Sequence, residues 1–233
     1  MILNLRPAPH RDAFHRLFGG FGLPIVDCPL LRPEAINDPL PAPDDFDAVI
    51  FTSQIALDFF PVDPTWRTKT AYAVGAATAA AARAAGFEDV VCTGQDAADL
   101  AALFQASDTQ RAFYPSAEEP AVELAAQFPE RVARQAVYRM IASLDLPAPA
   151  IAALGGEEVV YAPSFSRRTT LSLVSALSRA GVDKAANLTV IGISRAAVEL
   201  PSAPWGTTLV ALEPTAPSIA DTLAVVVGAR RAA

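Results

Sequence analysis

The chain has 233 residues, 52% of them hydrophobic and 18% charged, which is enough apolar material for one large domain or two small ones and too much for a disordered chain. Its formal charge of −7 comes without any Lys/Arg block, which argues against a nucleic-acid partner. No run approaches the ~20 apolar residues of a membrane span, and the opening MILNLRPAPH is too short an apolar stretch for a signal peptide, so a soluble cytoplasmic protein is expected.

Short apolar runs recur in chain order at Ile2–Leu5, Ala48–Phe51, Ala71–Val74, Val159–Ala162, Leu188–Ile191 and Leu209–Leu212. Helical spacing fills the gaps. Phe14, Leu17, Phe18 and Phe21 make one stripe; Leu100, Leu103 and Phe104 make a second, with Asp96 and Asp99 suited to its first turn. Leu171, Val174 and Leu177 make a third, which Gly181 is placed to stop. Uniformly apolar strands alternating with amphipathic helices indicate parallel sheets covered on both faces. The expected fold class is α/β.

Two proline-rich zones interrupt the rhythm, one from Pro24 to Pro43 and one at Pro147 and Pro149 before Gly155-Gly156. The N-terminal βαβ piece is too small to fold alone. The economical arrangement is a middle α/β domain, residues 33–142, inserted into a discontinuous one formed by residues 1–32 and 143–233. Extended segments near Cys28–Glu34 and Val132–Ser143 would make the two crossings.

The stretch from Phe46 to Val91 carries the strongest functional signal. Twice an apolar run ends in a small turn, Thr52-Ser53 and then Gly75-Ala76-Ala77-Thr78, and passes at once into a helical segment. Such junctions aim free backbone N–H groups and the positive end of a helix dipole at one spot. Two in series suggest a cleft for a negatively charged ligand.

Other chemistries lack their residues. His10 and His15, five apart, lie about 140° around a helix axis and would not share a metal; they read as surface histidines. Cys28 and Cys92 have no CxxC spacing and read as reduced, buried thiols. There is no GxSxG elbow, GxxxxGK[ST] loop or GxGxxG fingerprint. The acidic pairs Asp44-Asp45, Glu118-Glu119 and Glu157-Glu158 sit at turns, where solvated acids are ordinary. An enzyme built from this chain is expected to work without a metal, a covalent nucleophile or an organic cofactor.

Several pieces, in order, resemble the uroporphyrinogen-III synthase family: Leu5-Arg6-Pro7, Ile50-Phe51-Thr52-Ser53, the turn Ala73–Thr78 with Ala79, Val137-Tyr138-Arg139, and Glu213-Pro214-Thr215 before the last helix. Each is weak alone; the ordered set covers nearly the whole chain. The resemblance implies two α/β domains joined by a two-stranded linker, with the active cleft between them. It implies as substrate the linear polycarboxylate hydroxymethylbilane, which loses water and closes with its last pyrrole inverted. It also implies a monomer that needs no cofactor.

By the same resemblance Tyr138 is the candidate catalytic group, a neutral phenol able to donate to the departing hydroxyl; the alternative is a strand aromatic packing on the linker. Arg6, Thr52, Ser53, Gly75 and Thr78 are the implied substrate contacts, with Ser116 from the third loop, Tyr114-Pro115-Ser116. Hydroxyls at helix starts are also ordinary caps. The C-terminal half departs from the family's pattern. It has Tyr161-Ala162-Pro163-Ser164 where a Phe-x-Ser-Pro-Ser is frequent, and Ile191-Gly192-Ile193-Ser194-Arg195-Ala196 where Ile-Gly-Pro-Thr-Thr-Ala is frequent. Ser164 and Ser194 remain candidates there, Arg195 offers a replacement carboxylate partner, and Arg167-Arg168 stand nearby. A non-catalytic two-domain sensor for an anionic small molecule is the competing reading.

Overall fold

The computed structural model describes residues 1–94, 97–120 and 123–228. Its strands, in chain order, are β1 (Ile2–Asn4), β2 (Ile25–Asp27), β3 (Leu31–Ala35), β4 (Ala48–Phe51), β5 (Thr70–Ala73), β6 (Val90–Cys92), β7 (Ala112–Ala117), β8 (Val132–Ala142), β9 (Val160–Ser164), β10 (Ala185–Gly192) and β11 (Trp205–Val210). The chain divides into two compact units, Met1–Arg32 with Ile141–Ala233, and Pro33–Met140. Among the described residues no helix is long and apolar enough to cross a membrane.

The first unit holds a five-stranded sheet in the order β11-β10-β9-β1-β2, parallel at every pairing. The apolar runs are continuous because both faces are covered. Leu3, Val160, Ala162, Leu188 and Val190 pack into one buried cluster, while Ile2 and Ile191 turn the other way, onto Phe14, Phe18, Ile219 and Leu223. Alternation along each strand thus feeds two cores.

The second unit holds a six-stranded sheet in the order β3-β8-β7-β4-β5-β6, with β4–β5, β4–β7, β5–β6 and β7–β8 all parallel. Along β4, Val49 and Phe51 enter a core with Phe60, Trp66 and Phe113, whereas Ala48 and Ile50 meet Tyr72, Phe104 and Tyr114.

Several expectations change in detail. On the helix Arg167–Arg179 the buried face carries Thr170, Leu173 and Leu177, and Leu171 is 46% exposed. The helix is rich in Ser and Thr, and Thr170 returns its hydroxyl to the Ser166 carbonyl (3.3 Å), so a small polar residue takes a core position that apolar counting assigns to leucine. Gly181, with φ +69°, does end that segment. Leu103 is exposed although Leu100 and Phe104 are buried, and Leu212 lies beyond β11, 95% exposed. Asp99 falls in the first turn of the helix Ala97–Ala106; Asp96 lies outside the described residues. Cys28 is buried, and burial pushes its thiol up to about 12, but Cys92 is exposed because β6 is a sheet edge. His15 is a partner of Asp27 (2.9 Å), and His10 closes a half-buried turn, so neither is a plain surface histidine.

Burial, with the positive Arg6 as second cause, depresses the His10 imidazole from 6.5 to about 4. A lowered folded pKa means stability present above pH 6.5 and lost as pH falls towards 4. Thermal melts across that window should show the parent chain losing more stability than His10→Gln; parallel curves would refute the assignment. A second expectation concerns Gly206 on β11, where an added Cβ would overlap the carbonyl oxygen of Ala186 on β10. Gly206→Ala should cost about 1–3 kcal/mol through this overpacking, read as a melting temperature several degrees lower.

Candidate functional site

Parallel strands all finish at one edge, and ligands of such sheets bind where the strand order reverses. In the second unit β4, β5 and β6 run outward in sequence, and β7 then returns to the other side of β4. The reversal therefore lies between β4 and β7. Thr52 follows β4, and its Oγ1 is 3.0 Å from the Tyr114 hydroxyl on β7. Ser53 is the N-cap of the helix Gln54–Asp58 and accepts from the Ile55 N–H at 3.2 Å.

Tyr138 pairs in register with Ala117, the last residue of β7, which sets it at the same carboxyl edge. Its side chain is almost wholly covered, 5% exposed, and its ring stacks on Phe59 with centroids 5.5 Å apart and planes 19° apart. Burial raises its pKa above the ordinary tyrosine value of 10, and hydrogen bonding with Ser53 works the other way. Tyr114 is raised as well, again chiefly by burial, with Thr52 and the Arg134 charge opposing. Two neutral phenols therefore sit at this edge, one of them hydrogen-bonded to Thr52.

Ser116 is also here but is committed. Its hydroxyl donates to the Ala117 carbonyl (2.9 Å) and accepts from Arg134 Nε (2.9 Å), while Arg134 Nη2 donates to the carbonyls of Ala117 (2.8 Å) and Glu118 (2.6 Å). The arginine thus braces the end of β7. After β5, Gly75 takes φ +77° and donates its N–H to the Gly94 carbonyl at 3.0 Å, a conformation only glycine adopts without strain. Thr78 stands in the first turn of the helix Gly75–Ala84, 6% exposed. It is not the cap that its position in the turn suggests: the helix already begins at Gly75, the N-cap is Val74, and no side chain caps it.

The first unit has its own carboxyl edge, with the reversal between β1 and β9. Arg6 follows β1. Its backbone N–H donates to Asn4 Oδ1 (3.1 Å), Asn4 Nδ2 donates to Asp27 (2.7 Å), and the guanidinium lies 4.3 Å from the Phe165 ring centroid. Burial lowers the Arg6 pKa from its usual value, and Asp27 is held down through its hydrogen bonds to Asn4, His15 and Arg11 against its own burial. Ser164 ends β9 fully enclosed, bonded to Thr170 Oγ1 (2.7 Å) and to the Ser166 carbonyl (3.3 Å). Its hydroxyl shapes the turn. Ser194 caps the short helix Arg195–Val198 by accepting from the Ala197 N–H (3.3 Å), and Arg195 is exposed. Arg167 is tied to the carbonyls of Glu199 (2.9 Å) and Ala196 (3.4 Å), so it buttresses that helix.

The structure therefore gathers Thr52, Ser53, Gly75, Thr78, Ser116 and Tyr138 at one sheet edge, and Arg6, Ser164, Ser194 and Arg195 at the other. Sequence reasoning passes over Tyr114 as a phenol, together with Phe59, Arg134 and Phe165. The alternation Tyr114-Pro115-Ser116, which puts residues i and i+2 on one face of a strand, is the available signal for the first; the rest depend on contacts distant in sequence.

The family profile described as uroporphyrinogen-III synthase HemD (HEM4) matches residues 12–221. Comparison with curated proteins found no significant match. Among solved structures, a uroporphyrinogen-III synthetase from Helicobacter pylori 26695 superposes with TM-score 0.62 at 18% identity, covering 87% of this chain and 93% of that one. A mutant uroporphyrinogen III synthase from the extremely thermophilic bacterium Thermus thermophilus follows at TM-score 0.45 and 14% identity, covering 97% and 96%. The first likeness bears on the fold; the profile spans most of the sequence. The chain belongs to the uroporphyrinogen-III synthase family.

Proposed function

We propose that Tyr138 is the proton donor with which this family member cyclises hydroxymethylbilane, inverting the last pyrrole ring and losing water. One observation carries the reading: Tyr138 stands as a covered, neutral phenol at the carboxyl edge that also holds Thr52, Ser53, Gly75 and Thr78. In the step, the phenol gives its proton to the hydroxyl of the terminal hydroxymethyl group as the C–O bond breaks, and water leaves. The last pyrrole attacks the freed carbon through its substituted α-carbon, and its old C–C bond to the bridging methylene then breaks. Its unsubstituted α-carbon bonds that methylene and releases its proton, which returns the phenolate to phenol. No net charge accumulates.

The two compact units serve as the enzyme's domains, with residues 33–140 inserted between 1–32 and 141–233, two residues short of the boundary at 142 expected from the sequence. Backbone N–H groups around Gly75 and Thr78 and the guanidinium of Arg6 suit the acetate and propionate groups of the bilane. Ser53, Thr52 and Arg195 add polar contacts. Ser116, Ser164 and Ser194 act mainly by holding their turns, since each hydroxyl is already bonded. The protein works as a cytoplasmic monomer, binds no nucleic acid and uses no cofactor. Because the bilane also closes unaided to the uninverted isomer, modest steering is sufficient: a 100-fold preference needs about 2.7 kcal/mol of differential barrier.

Incubation with hydroxymethylbilane, followed by separation of the two uroporphyrinogen isomers, tests the activity. The inverted isomer should dominate; a sensor would bind the bilane and leave the isomer ratio untouched. Tyr138→Phe removes one oxygen and keeps the stacked ring, so it should slow turnover about 10- to 100-fold with the melt unchanged. Thr78→Val should cost no more than about 1 kcal/mol of stability, since no cap is lost, yet raise KM. A large drop in melting temperature for Thr78→Val would show that its hydroxyl supports the fold.

A further inference from the structure

We propose that Phe59 is a positioning residue for Tyr138, acting with Ser53 from the opposite end of the same short helix. The inference rests on the reading of Tyr138 as proton donor. The helix Gln54–Asp58 has Ser53 as its N-cap and Phe59 as its C-cap, the latter donating its N–H to the Ala56 carbonyl at 3.3 Å. Five residues rise only about 7.5 Å, so both caps can reach one tyrosine side chain. Phe59 lies nearly parallel to the Tyr138 ring at 5.5 Å, and Ser53 stands close enough to oppose the rise of the phenol's pKa. The stacked phenylalanine fixes the plane of the ring.

The neighbouring phenylalanine shows what Phe59 does not do. Phe60 is buried and packs in the core against Phe51, Trp66 and Phe113. Phe59 is only half-buried and borders an open depression with Ile36, Leu40 and Pro61. Its one ring–ring contact among the described residues is Tyr138. A helix of five residues has little stability of its own and is held by the burial of Ile55 and Ala56, so its ends are fixed relative to the sheet. Tyr138 comes from β8 and the clamp from the loop after β4, two strands separated in the sheet by β7. The clamp therefore spans the point of strand reversal.

Proton donors work within a narrow reach of about 2.6–3.2 Å, and a displacement near 1 Å costs up to about 100-fold. Phe59→Leu retains apolar bulk and loses the flat face. It should lower kcat about 5- to 10-fold with KM within about twofold, and Phe59→Tyr, which keeps the face, should restore the rate. In a Tyr138→Phe background, Phe59→Leu should cause no further loss. An alkaline absorbance titration supplies a second readout: Phe59→Leu should bring one tyrosine ionisation down towards ~10, a change absent when Tyr138 is replaced. Equal losses in both backgrounds, a parent-like rate for Phe59→Leu beside a slow Tyr138→Phe, or an unmoved titration would each overturn the clamp. A parent-like rate for Tyr138→Phe would instead remove the donor role itself, and the clamp with it.

Discussion

Parallel pairing is the constraint on which the rest of this structure depends. Strands that all point one way must all end at one edge, and the chain must then leave each end through a turn into a helix. Short turns after β4 and β5 in one unit, and after β1, β9 and β10 in the other, follow from that rule. The helices that carry the chain back cover both sheet faces, which is why a central strand such as β4 is wholly buried and apolar. The candidate hydroxyls Thr52, Ser116 and Ser164 stand at or just past the ends of such central strands. The candidate sites are thus a by-product of sheet direction, refined by a few hydroxyls.

The refinement is economical in charge. With a net charge of −7 the chain has little cationic surface to offer a polycarboxylate. At the edge of the second unit, uncharged groups predominate: two phenols, two small hydroxyls and the N-terminal turn of a helix. Burial keeps both phenols protonated, so the same low-polarity surroundings that strengthen a hydrogen bond also preserve the donor that makes it. The guanidinium of Arg134 is spent on the end of β7 and steadies the strand beside Tyr138. At the other edge Arg6 is oriented by an aromatic face and by the Asn4–Asp27 pair behind it.

The α/β class and most long apolar strands are legible because continuous burial on both faces leaves a plain pattern. Ala48–Phe51 and Leu188–Ile191 show it without ambiguity. Short edge strands such as β2 and β6 carry too few residues to announce themselves. Apolar spacing misplaces the buried face of the helix Arg167–Arg179, because threonine hydroxyls satisfied by the helix backbone can pass for apolar groups in a core. At the site, local turns are readable: Thr52-Ser53 and Gly75 mark their own junctions. The Thr52–Tyr114 bond spans 62 positions and the Phe59–Tyr138 stack joins two strands' ends, and neither leaves a trace in local spacing. Thr78 as a cap is the natural inference from its place in the turn, and the positive φ of Gly75 moves the helix start upstream of it.

The two cysteines differ in a way that reaches beyond packing. Cys28 is enclosed and its thiol pushed up to about 12, so at neutral pH it presents almost no thiolate to an electrophile. Cys92 ends β6 in the open, on the sheet that bears Tyr138. A maleimide dye or spin label added to the unaltered chain will therefore attach at one position in one unit. Changes in the surroundings of that unit become visible to fluorescence or electron resonance without a single engineered residue.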